Sequence, residues 1–181
     1  MDMQDVLRYL GVKKSDPELE KNIEECKAIF RTLSPVYTYA VFDAEERENG
    51  VFLQGAEIEL PGVLVKKQFR SCKKILVVLA TLGLKSEVLL KRIFSLSPKK
   101  GVILDAVYTD GIEKFLDECE KNLQAQFGEL TERISCGYGD LPIKKQKELF
   151  DAIDGERLGV KMNDCFMLTP NKSVIALMGV R

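Results

Sequence analysis

Residues Ile75 to Leu82 read ILVVLATL, an apolar run of strand length set between Lys73-Lys74 and Gly83. A run without polar alternation offers no face to water, so it predicts a central strand buried on both sides. Such a strand needs cover above and below, which restricts the chain to layers of helix around a sheet. With 181 residues and 45% hydrophobic content, the chain can supply that cover from a single core.

The flanking segments provide the layers. Asp16-Pro17 offers a helix N-cap with proline in the first turn, and Leu19, Ile23, Cys26, Phe30 and Leu33 recur at helical spacing until Ser34-Pro35 ends the pattern. Val36 to Phe42 is rich in β-branched and aromatic residues; a turn at Glu48-Asn49-Gly50 leads to Val51 to Leu53, and Ile58 to Leu60 adds a third short strand, together an antiparallel meander. A short helix is predicted around Val65 to Cys72 and another over Ser86 to Phe94. Ser97-Pro98 opens a long helix reaching Phe127, with Gly101 and Gly111 inside it. The last third predicts strands at Leu130 to Ser135, Gly159 to Met162 and Ser173 to Val180, and a helix from Ile143 to Ile153. The expected fold is one α+β domain over residues 1–181, a mixed or antiparallel sheet packed against long helices.

Several function classes are excluded or disfavoured. The chain has no histidine, which removes Ser-His-Asp triads, Cys-His dyads and histidine zinc sites. Charged residues make up 30% but sum to −1, so no net field favours nucleic acid or an anionic membrane. No apolar run spans a bilayer and the first residues carry acid, so a cytoplasmic location is expected. The five cysteines stand singly, as reduced thiols do. Asp43 to Glu48 reads as a solvated turn rather than a metal site, and Gly83 as a strand end rather than a nucleotide-binding glycine motif. Met162, Phe166, Met167, Leu168 and Met178 suit core, or a surface that adapts to a flat cofactor.

The segment RISCGYGDLP, Arg133 to Pro142, holds the most chemistry. Two glycines around Tyr138 let backbone approach a ligand, and Arg133 can take a carboxylate in a bidentate fork; a plain strand-to-helix turn with a surface arginine is the alternative. Together with CFMLTPNKSVIALMGV near the C-terminus, this segment resembles the R-x-x-P-G-Y-x-x-x-P element and the later L-T-x-S-x-x-M-x-P-x-x-S-V segment of the S-adenosylmethionine-binding activation domains of cobalamin-dependent methionine synthase. CKKILVVLATLG and ILDAVYTDGIEKFLDE are similar to a strand and long helix of separately encoded forms, so the resemblance covers nearly the whole chain.

The resemblance implies a domain that binds S-adenosylmethionine and caps a partner's corrinoid, so that an electron and a methyl group restore methylcobalamin from cob(II)alamin. It implies as partners a cobalamin-binding methionine synthase polypeptide, since no corrinoid, folate or homocysteine region is recognisable here, and a flavodoxin- or ferredoxin-like electron donor. By the same resemblance Arg133 holds the methionine carboxylate, Ser135 and Gly137 contact the ligand through backbone, and Tyr138 stands between ligand and corrinoid. Asp110 matches an acid facing the ligand's cationic part; at i,i+4 from Lys114 it also suits a surface ion pair. Three departures stand out: Cys136 replaces the usual proline, Phe127 falls where the family has an acid so that Glu129 or Glu132 would substitute, and the sequence ends at Arg181, before a tail aromatic of the long synthases. The alternative function is a corrinoid-protein docking or chaperone subunit that has lost ligand binding.

Overall fold

The computed structural model describes residues 2–181. The apolar run forms β4 (Lys74–Thr81), buried from Ile75 onward. Alternate side chains of a strand point to opposite faces. Ile75, Val77 and Leu79 therefore enter one core, and Leu76 and Val78 a second on the other side. β1 (Val36–Arg47) pairs along one edge of β4 and β7 (Ser173–Val180) along the other. With β2 (Gly50–Gln54) and β3 (Ile58–Pro61) the order is β3-β2-β1-β4-β7, each pairing antiparallel. The expected choice between a mixed and an antiparallel sheet thus resolves to antiparallel.

One face is covered by α5 (Pro98–Phe127), whose 30 residues extend about 45 Å. Ser97 caps it by accepting from the Lys100 N–H, and Pro98 fills the first turn, where its missing N–H costs nothing. Around it pack α1 (Met3–Leu10), α2 (Pro17–Phe30) and α4 (Leu84–Leu96). The two glycines within α5 permit that packing. A Cβ at Gly101 would stand 2.5 Å from the Phe94 ring, and one at Gly111 would overlap the Phe30 ring. The opposite face carries α3 (Val63–Gln68) and α6 (Lys145–Ala152), which insert Val65, Leu149 and Phe150 beside Val77 and Leu177.

Three expectations need correction. Asp43 to Glu48 is not a turn: β1 runs to Arg47, paired with Gly50, because Ala44 packs on the core while Glu45 takes a cross-strand hydrogen bond from Gln54 (3.1 Å). The strand expected near Gly159 shortens to β5 (Lys161–Met162), which pairs with β6 (Leu168–Thr169). Leu130 to Ser135 makes only isolated bridges, Leu130 to Val180 and Ile134 to Leu177. Four positions separate the bridged residues here (134 − 130) but three on β7 (180 − 177), so one residue bulges out between them. The bulge frees Arg133 from the ladder and lets it reach α5. Among the described residues no helix is long and apolar enough to cross a membrane.

Candidate functional site

The segment after the bulge folds into a tight turn. Tyr138 N–H donates to Ser135 O (3.2 Å), Leu141 N–H to Tyr138 O (3.2 Å), and Gly137 N–H to Leu141 O (2.9 Å). Gly137 and Gly139 have φ of 87° and 59°, where side chains are strained, and a Cβ at Gly139 would meet Leu64 at 2.7 Å. Asp140, within the turn, ties it to α3: its carboxylate accepts the N–H groups of Val63 (2.6 Å) and Leu64 (3.2 Å) at the start of that helix. The result is a turn held at both ends with Tyr138, 63% exposed, at its tip.

Tyr138 borders a groove of about 510 Å³, within the range of small-molecule sites. Its walls are the turn and bulge (Glu132, Arg133, Ser135, Tyr138), Leu64 and Gln68 of α3, Glu113 and Leu116 of α5, and Val174 and Ala176 of β7. Gln68 braces one wall by donating to Glu132 O (2.7 Å). A larger hollow of about 610 Å³ lies against Asp140, between α3 and the β1-β2 hairpin, but Arg133, Ser135 and Tyr138 do not line it.

Of the five residues singled out in the sequence, the fold brings Arg133, Ser135 and Tyr138 to the groove. Gly137 shapes the turn instead, with its N–H spent on Leu141. Asp110 lies outside the lining: it is buried, 2% exposed, and accepts from Lys114 Nζ (2.9 Å), which also binds Asp5 of α1 (2.9 Å). Arg133 is engaged as well. Its two terminal nitrogens donate to Glu120 (2.9 Å), Asp117 (2.7 Å) and Glu113 (3.2 Å) of α5. Of the two acids considered in place of Phe127, Glu132 lines the groove while Glu129 pairs with Arg181.

Sequence reasoning missed Glu113. Its signal was the spacing Glu113, Asp117, Glu120, which sets three carboxylates along one side of a helix. Cys136 is buried and its thiol is pushed up to about 12 by desolvation, so it fills space and is inert as a nucleophile. Met178 and Leu168 are core, whereas Met167 is 54% exposed beside Ile143, in a hollow that shares Ser135 with the groove. No group of three or more His, Cys, Asp or Glu among the described residues is arranged to hold a metal ion.

An antiparallel sheet with a long helix across one face, and a groove between that helix and a glycine turn, defines an α+β domain class. Its fold is that of the MetH reactivation domain: the crystal structure of that domain bound to AdoHcy superimposes with a TM-score of 0.75, covering 96% of this chain and 72% of that one at 12% identity. No family model and no curated protein matches the chain.

Proposed function

We propose that this protein binds S-adenosylmethionine in the groove beside Tyr138 and supports reductive methylation of cob(II)alamin on a separate cobalamin-dependent methionine synthase. The observation that carries the reading is the coincidence of the Arg133, Ser135 and Tyr138 walls with a groove of ligand size, on a fold shared with a domain bound to AdoHcy. The groove fits such a ligand in kind. Leu64, Leu116 and Val174 offer apolar contact for an adenosyl group, and Glu113 and Glu132 offer anions to a sulfonium or ammonium. S-adenosylmethionine supplies the methyl group, and a flavodoxin- or ferredoxin-like donor the electron. The protein orients the donor and excludes water, work that requires no general acid or base and accords with a chain lacking histidine.

Docking belongs to the same reading. Tyr138, Ile143 and Met167 form an exposed apolar margin around the turn, a surface suited to a flat corrinoid or its surroundings. Titration of the purified chain with S-adenosylmethionine by calorimetry, alone and with the corrinoid partner, is expected to give one saturable site. Absence of binding in both states selects the second reading, a docking or chaperone subunit. That reading is favoured by the engagement of Arg133 with three α5 carboxylates.

A further inference from the structure

Among the described residues, Arg133 is the one cationic side chain lining the groove, and its charge is already met. Glu113, Asp117 and Glu120 converge on its two terminal nitrogens, so three carboxylates face one guanidinium and leave two negative charges in excess (3 − 1). Glu132 adds a further carboxylate to the lining. Arg133 and Glu120 are about three-quarters buried, so water screens this inner pair least, while Glu113 and Asp117 are about half-exposed and meet solvent. A ligand carboxylate entering here meets excess negative charge and must displace an existing partner to gain the guanidinium. A ligand cation meets Glu113, which Arg133 holds at the groove wall.

Resting on the proposed binding of an adenosyl sulfonium, we infer that the groove selects its ligand by the cationic end, through Glu113, and that the ligand's carboxylate contributes little. Arg133 is then a positioning residue. It sets Glu113 and neutralises part of the α5 charge, rather than holding the ligand itself.

Calorimetry with the intact chain and three ligands tests this: S-adenosylmethionine, its decarboxylated form, which keeps the sulfonium and the amine, and neutral methylthioadenosine. Decarboxylated ligand is expected to bind at least as tightly as S-adenosylmethionine, and methylthioadenosine about tenfold or more weakly, as loss of a charge-assisted contact implies. Glu113→Gln, a substitution at a half-exposed position, is expected to erase most of the difference between decarboxylated and neutral ligand. Arg133→Gln separates the two roles of the arginine. If it positions Glu113, affinity for S-adenosylmethionine and for the decarboxylated form falls in parallel; if it holds a carboxylate, only the first falls. A decarboxylated ligand about tenfold weaker than S-adenosylmethionine, or an Arg133→Gln loss confined to the carboxylate-bearing ligand, overturns the inference and leaves the proposed function intact. Failure of all three ligands to bind overturns both.

Discussion

Asp110 illustrates how burial reassigns a residue. On sequence it is an acid on a helix; in the fold it is a buried carboxylate whose charge is balanced by Lys114, itself shared with Asp5. Lys114 lies one-third exposed; burial lowers its pKa, but the hydrogen bonds and charges of Asp110 and Asp5 together raise it, so the ion pair persists through neutral and mildly alkaline pH. The contact closes α1 onto α5. Asp110→Asn is therefore expected to destabilise the fold by about 1–2 kcal/mol through the loss of a charge-assisted hydrogen bond, without altering ligand affinity. Urea unfolding followed by circular dichroism, set beside calorimetry of the same variant, checks both halves. A variant of unchanged stability and weakened ligand binding returns Asp110 to the ligand's cationic end.

Among the elements, the turn and α3 act together. Asp140 accepts two backbone N–H groups at the start of α3, and Gly139 leaves no space between the turn and Leu64, so Tyr138 is fixed relative to the groove by a contact between segments 77 positions apart. Asp140→Ala is expected to cost about 1 kcal/mol, as loss of a helix cap does. Amide exchange at Val63 and Leu64 should accelerate, while exchange in β4 quickens only by the global loss of stability. Unaltered protection of those two amides would mean that the cap does not secure the turn. The elements themselves were largely legible in sequence: the apolar run of β4 and the Ser97-Pro98 cap of α5 are local signals, and local signals survive folding. What escaped is non-local. The bulge at Glu132-Arg133 exists only against β7, and β5 and β6 are defined only by pairing with each other. For the site, Tyr138 and Arg133 could be picked out by residue type, whereas the commitment of Arg133 to α5 depends on a contact no periodicity in its own segment reports.

At the scale of the whole molecule, one exposed ring stands at the meeting of two surfaces. Tyr138 lines the groove on one side and joins Ile143 and Met167 in an apolar margin on the other, at the tip of a turn that its own hydrogen bonds and Asp140 hold in place. Under the proposed function, a residue so placed touches a methyl donor in the groove and a partner's corrinoid at once. Most of the groove wall remains without it, since Leu116, Val174, Glu113 and Ser135 belong to other segments or to the base of the turn. Tyr138→Ala is thus expected to leave binding of S-adenosylmethionine to the isolated chain within about threefold of wild type, the scale of one partly exposed contact. It should slow single-turnover formation of methylcobalamin on the partner by about 10- to 100-fold, because a donor displaced by about an ångström loses the advantage of orientation. Tyr138→Phe should retain most of the rate, since the ring and not the hydroxyl supplies the contact. The assay uses purified partner in the cob(II)alamin state, a chemical reductant in place of the physiological donor, and the absorbance change on methylation. Reactivation by the alanine variant at the wild-type rate would remove Tyr138 from the transfer geometry, and would place the corrinoid against another face of the domain.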